Sequence, residues 1–276
     1  VLYFDSSSDI TVNFSNIISF DLVDLNITNL SIENRGSGKV IFDGQGNTGL
    51  FDIDGSNVRT ITFDNFTFTR AANDYAVLNT TYTVFRNCSF SDNVDGALRF
   101  STVDALIQNC SFDNNSGSSG AAVYTSATTG VTIDNSTFFN NTVSSEGGAL
   151  YAHRSEFFVS NSTFYGNTAN LVSNSVSGDG LTIQNSIIYD TIADDVTSNG
   201  YNWYSAGDLG GTGDIDGTQT GQEFADIKLS TSLVDNGGYT QTLALEEDSI
   251  LINAGTGTDE DQRGYAINGN KDIGAY

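Results

Sequence analysis

Residues 84 to 115, VFRNCSFSDNVDGALRFSTVDALIQNCSFDNN, carry one motif twice. An apolar residue is followed two positions later by Asn, then by Cys, Ser and Phe, and a second Asn stands three residues beyond the Phe. The motif extends outward as ITFDNFTF (61 to 68), TIDNSTF (132 to 138), FVSNSTF (158 to 164) and TIQNSII (182 to 188). Its asparagines, Asn65, Asn87, Asn109, Asn135, Asn161 and Asn185, are 22, 22, 26, 26 and 24 residues apart. Near-constant spacing with small insertions is what a solenoid with one rung per repeat produces.

Alternation within each unit assigns faces, because neighbouring side chains on a strand point to opposite sides. Phe63 and Asn65 share a side, as do Phe85 with Asn87 and Ile107 with Asn109. The apolar members need a core, so these asparagines are expected to turn inward and hydrogen-bond from rung to rung as a ladder. A second pattern follows each Phe: FSDN ending at Asn93, FDNN at Asn115, FFNN at Asn141 and FYGN at Asn167. GAL (96 to 98), GAAV (120 to 123) and GGAL (147 to 150) then supply small residues for a corner. Each repeat reads as two or three short strands joined by corners.

Composition agrees with an all-β chain, being rich in Asn, Ser, Thr, Gly and Asp. The formal charge of −24 gives a field that repels phosphate, which argues against nucleic acid and anionic membrane surfaces as partners. No apolar run approaches the ~20 residues that cross a bilayer, so membrane insertion is not expected. Proline is absent where average usage of about 5% would give roughly 14, and methionine is absent even at position 1. These features read as a processed or excised segment of a longer chain.

The alternation of FxxN with GGA plus an aliphatic residue over 58 to 190 resembles the repeats of polymorphic outer-membrane proteins. That resemblance implies a right-handed, single-stranded parallel β-helix of the pectin-lyase-like kind. Residues 1 to 57 show the same strand character and read as the first rungs. SLVDNGGYTQTLAL, SILINAG and DQRG followed by DIGAY, within 232 to 276, resemble the C-terminal end of secreted β-helix proteins of the choice-of-anchor Q type. Tyr239 departs from the proline usual there. The resemblance implies export and a place on the cell surface. Residues 1–196 are thus expected to form rungs, and 197–276 to continue or cap the helix.

Candidate chemistry is sparse. Polysaccharide lyases and hydrolases share the implied fold, yet the one adjacent aspartate pair, Asp194 and Asp195, lacks the surrounding elements of polygalacturonase-like enzymes. Arg86, Arg99 and Arg154 stand at different offsets from their rung asparagines, and His153 reads as a surface turn residue. Asp52 and Asp54, with Asp214 and Asp216, form two DIDG stretches in which a structural Ca²⁺ is weighed against simple surface acidity. No other cofactor is implied. Cys88 and Cys110 occupy equivalent slots, where stacked thiols are preferred to a disulfide. Of eleven Asn-x-Ser/Thr sequons, five coincide with the inward ladder, and Asn114 and Asn140 are the better glycan acceptors. Arg263 is expected to pair with Asp261 or Asp272.

The function expected from these readings is structural or adhesive: an extracellular spacer, adhesin or subunit of a head-to-tail fibril, built by strand addition at the open first rung. A carbohydrate-active protein, whether binding module, lyase or hydrolase, is the alternative. A carbohydrate or another cell-surface ligand is the partner in view.

Overall fold

A computed structural model describes residues 2–21, 29–54, 60–168, 172–174, 180–190, 196–205, 209–257, 260–267 and 269–276. Three parallel sheets of nine, ten and seven strands, called A, B and C here, extend to Ser198, Asp216 and Asn174. A typical rung contributes Thr83–Arg86 to sheet A, Ser89–Ser91 to sheet B and Leu98–Ser101 to sheet C. The next rung places Ala105–Gln108, Ser111–Asp113 and Val123–Ser126 in register with them. The 22-residue spacing is therefore one circuit of a parallel β-helix.

Aromatic residues at one slot of sheet B fill the interior. Phe68, Phe90, Phe112 and Phe138 stack with ring centroids 4.8 Å apart, and Phe164 continues the column at 4.5 Å. That distance equals the strand spacing, so identical residues in register stack without adjustment. All five are fully buried.

A continuous, buried asparagine ladder is present, and the second pattern forms it. Asn93, Asn115 and Asn141 are wholly buried and Asn167 nearly so. Each Nδ2 donates to the Oδ1 of the next rung's asparagine, at 2.8 Å from Asn93, 2.9 Å from Asn115 and 2.8 Å from Asn141. The second Nδ2 proton goes to a backbone carbonyl below: Phe68, Phe90, Phe112 and Phe138 accept from Asn93, Asn115, Asn141 and Asn167. Asp190 closes the column, taking the Asn167 backbone N–H at 3.0 Å and its Nδ2 at 2.6 Å.

The six asparagines expected in that role sit at another corner, where two neighbouring pairs do bond from rung to rung: Asn109 Nδ2 donates to Asn87 Oδ1 at 3.4 Å and Asn185 Nδ2 to Asn161 Oδ1 at 2.8 Å. Asn65, Asn87, Asn109, Asn135, Asn161 and Asn185 all have φ between 46° and 66°, which ends the sheet A strand in a left-handed corner. A left-handed residue breaks the period of two, so the expectation that they share the inward side with Phe63 or Phe85 is corrected. The following residue turns inward instead: Phe66, Cys88, Cys110, Ser136, Ser162 and Ser186 are all buried. Three of those serines form a hydroxyl ladder, with backbone N–H donors of Cys110, Ser136 and Ser162 reaching the Oγ one rung on at 3.2, 3.2 and 3.1 Å. Asparagine suits the corner because its short amide tolerates positive φ.

Rungs continue past residue 196 through Val196–Ser198, Trp203–Tyr204 and Ile215–Asp216. Beyond them the chain leaves the helix and runs back along its side. A second core of Ile187, Trp203, Ile227, Leu229, Leu243, Leu245, Leu251 and Ile273 fixes this segment to the wall. Bridges Leu229 to Leu245 and Val234 to Thr242 make it a hairpin whose tip carries Tyr239.

Candidate functional site

The returning segment lies along the corner between sheets A and B, on the column of left-handed asparagines. Asn185 Nδ2 donates to the Asp272 carbonyl at 2.9 Å, and its Oδ1 accepts the Thr256 backbone N–H at 3.1 Å. A Cβ on Gly255 would lie 2.0 Å from that Oδ1, so only glycine allows this approach. Asn135 Nδ2 donates to the Glu260 carbonyl at 2.9 Å. Thr240 Oγ donates to the Asn109 carbonyl at 3.1 Å. Gln262, 1% exposed, accepts from Thr137 Oγ at 2.6 Å and donates to the Cys110 carbonyl at 3.2 Å. Two of the six corner asparagines are thus buried under the chain's own strap, and the other four are half-buried.

Beside the strap, sheet A presents a groove of about 540 Å³. Its floor is a column in strand register, Gln108, Asp134, Ser160 and Gln184, with Leu106 and Thr132 alongside. Thr256 and Gly257 of the strap form the opposite wall. Asp134 Oδ1 accepts from Ser160 Oγ and Asn161 Nδ2, both at 2.7 Å. No Lys, Arg or His lines the groove. Arg86 stands one register step below Gln108, outside the lining, and pairs across strands with Asp64. The arrangement offers hydrogen-bond donors and acceptors for a polar ligand, and its one ionisable side chain is the Asp134 carboxyl.

A second cleft of about 250 Å³ opens where the hairpin tip ends. Lys39, Ser89, Ser91, Asp92, Asp113 and Tyr239 line it. Burial first, and the Asp92 charge second, push the Asp113 carboxyl up to about 6.

A family model described as a right handed beta helix region matches residues 16–188. The chain belongs to that family. Handedness follows: the protein is a right-handed parallel β-helix. A solved structure entitled "Crystal structure of pectate lyase Pel9A" resembles this right-handed β-helix with a TM-score of 0.51 and 17% identity, over 98% of this chain and 86% of that one. At that identity the likeness is one of fold. Among curated proteins no match was found.

The other sequence candidates are scattered over this β-helix. Asp214 Oδ1 accepts from the Asn202 backbone and Oδ2 from Ser198 Oγ and the Gly211 backbone. Asp216 is likewise engaged, by Gln219, Thr218 Oγ and the Thr218 backbone, which hold its carboxyl below the ordinary range. These aspartates tie turns together. Asp52 is half-buried on Phe51–Asp54, and the side chain of Asp54 lies outside the described residues, as do Asp194 and Asp195. Among the described residues no three His, Cys, Asp or Glu side chains gather as a metal site.

Cys88 and Cys110 are buried free thiols, and burial with the adjacent Cys110 thiol pushes Cys88 up. Asn114 is exposed, while Asn140 is half-buried with its amide beside Gly166. Arg263 pairs with Asp261 and stacks 3.8 Å over Tyr276, whereas Asp272 accepts the Asn253 backbone N–H. Arg99 lies 5.0 Å over Tyr124 on sheet C, away from the groove. His153 ends the sheet C strand Leu150–His153.

The motif asparagines do not by themselves point to the groove residues. A usable signal stood one residue earlier: Asp64, Arg86, Gln108, Asp134, Ser160 and Gln184 are all polar or charged. The strap had no such signal, because its pairing with rungs up to 136 residues away leaves no local period.

Proposed function

We propose that this β-helix is a non-catalytic, surface-displayed scaffold that binds a neutral, hydroxyl-rich polysaccharide along the sheet A groove. The observation that carries the reading is the floor of Gln108, Asp134, Ser160 and Gln184, one polar side chain per rung, beside a fixed strap. Rungs repeat about every 4.8 Å, close to the length of one sugar unit, so successive units can meet successive side chains. Amide and carboxylate groups are suited to hydroxyls, and a rigid parallel wall holds them without ordering cost on binding. The likeness to a pectate lyase supports a carbohydrate ligand but is a likeness of fold. Display outside the cell is supported by the charge of −24 and the C-terminal motifs described above.

Calorimetric titration with neutral and uronate oligosaccharides tests the reading. Neutral chains are expected to bind, and Gln108→Ala and Gln184→Ala each to weaken them about tenfold, the worth of roughly one good hydrogen bond in a desolvated groove. Acidic polysaccharides incubated with the protein, with and without Ca²⁺, should release no unsaturated sugars. Such release, or affinity untouched by both substitutions, would overturn the proposal.

Self-association keeps one specific support. Leu2 and Tyr3, on the first strand of sheet A, are 55% and 51% exposed. Strand addition by another copy would cover them. Sedimentation of the protein at rising concentration is then expected to show species larger than one chain, and a single monomeric species throughout would remove that reading.

A further inference from the structure

The strap brings a primary amine against a carboxamide inside the protein. Lys271 is 3% exposed and Asn135 4%. Lys271 Nζ donates to Asn135 Oδ1 at 3.0 Å and to the Glu260 carbonyl at 3.0 Å. The same Glu260 carbonyl accepts Asn135 Nδ2 at 2.9 Å, so one backbone oxygen orients both the amine and the amide nitrogen. Asn135 is itself fixed by its left-handed corner, φ 46°.

We propose that Lys271 and Asn135 join in an intramolecular isopeptide bond that fastens the strap to the helix. The Nζ lone pair adds to Asn135 Cγ, a Nζ–Cγ bond forms and the Cγ–Nδ2 bond breaks. Two protons of the starting ammonium leave with Nδ2, so ammonium plus carboxamide become a secondary amide plus an ammonium ion. Charge and atoms balance with no oxidant, metal or cofactor.

Contact favours the reaction, because holding reactants together raises their effective concentration to about 10⁵ to 10⁸ M in well-oriented cases. The attacking species is the amine freed of its protons, which depart with Nδ2. Departure of the small ammonium ion to solvent, with water excluded from the product amide, then makes the step one-way. The site is independent of the sugar groove, and its test reads neither binding nor activity.

Intact mass spectrometry of the full chain, followed by peptide mapping, decides the matter. The bulk of the protein is expected to be one ammonia lighter than its sequence mass, with the peptides containing Asn135 and Lys271 recovered as one linked species. Lys271→Arg and Asn135→Ala should each return to their full sequence mass, and Asn135→Asp should form the same bond with loss of water. A wild-type chain at its full sequence mass, or an ammonia loss mapped to any other residues, overturns the proposal. Because the wild-type measurement suffices, a variant that fails to fold does not weaken the test.

Discussion

An Asn141→Ala protein is expected to unfold in urea with its stability lowered by about 3 to 5 kcal/mol, each buried donor or acceptor left without a partner costing roughly 1 to 3. The side chain serves four groups. Its Oδ1 accepts the Asn115 backbone N–H at 3.2 Å and Asn115 Nδ2 at 2.9 Å. Its Nδ2 donates to the Phe112 carbonyl at 3.0 Å and to Asn167 Oδ1 at 2.8 Å. All of these lie at a fully buried corner, where water does not substitute cheaply. Alanine also leaves a void in a stack whose neighbours are held by their own strands.

The comparison that gives this result meaning is Asn87→Ala. Asn87 is half-buried, and its Nδ2 donates to Asp64 Oδ1 at 2.7 Å on the outer side of the wall. Alanine there loses that bond and the long one that Asn109 Nδ2 donates to Asn87 Oδ1 at 3.4 Å, both half-exposed, and takes up the strain of a left-handed backbone, together about 1 to 2 kcal/mol. Asn87→Gly should cost less than Asn87→Ala, because glycine accepts φ 55° freely. If both alanine variants proved equally destabilising, the assignment of the ladder to the FxxN column rather than to the corner column would fail.

The architecture was legible because one period carried it. Identical residues 22 to 26 apart can satisfy one another only by stacking, and that constraint shows in Phe90 and Phe112 as plainly as in Asn87 and Asn109. Which asparagine enters the interior was not legible from alternation, since the rule of two assumes an unbroken strand. A left-handed residue shifts the phase by one, so alternation points to Asn87 as the inward residue where the fold turns Cys88 in. The buried slot itself held the correct hint, being Phe, Cys or Ser in all six repeats and never charged. The groove is a property of two distant segments meeting, Gln108 to Gln184 on the wall and Thr256 and Gly257 on the strap, and no short window contains both. The acidic stretches needed the fold for a related reason: the groups that engage the Asp214 oxygens, on Asn202, Ser198 and Gly211, are brought there by the turns around it.

Asp190 ends the interior ladder with a carboxylate where every lower rung has an amide, and Asp190→Asn is expected to stabilise the protein at pH 7.5. The carboxyl is 6% exposed. Burial pushes it up to about 6 against the pull of hydrogen bonds from the Asn167 side chain and backbone. A carboxyl raised from 3.8 contributes its full stability below pH 3.8, where both states are protonated. As pH rises the unfolded chain ionises first, stability falls, and above about 6 the loss is complete at about 2 to 3 kcal/mol, roughly 1.4 for each pH unit of displacement. An asparagine is neutral throughout and its Oδ1 can still accept both Asn167 groups. Its Nδ2 would have the Phe164 carbonyl below it, the position each lower rung uses. Among the described residues no ladder side chain follows Asp190, so no partner is counted for the remaining Nδ2 proton, which reduces the expected gain at pH 7.5 to about 2 kcal/mol. Asp113, raised to about 6 by burial and Asp92, adds a slope of the same sign that the substitution leaves in place. The quantity to measure is therefore the difference between wild type and variant in urea unfolding at pH 7.5 and at pH 4. That difference should be large at the higher pH and shrink at the lower, because at pH 4 the native carboxyl is protonated and the unfolded one only about half ionised, so little of the loss has developed. A variant less stable than wild type at pH 7.5 would mean that the ladder is terminated by a charge it needs.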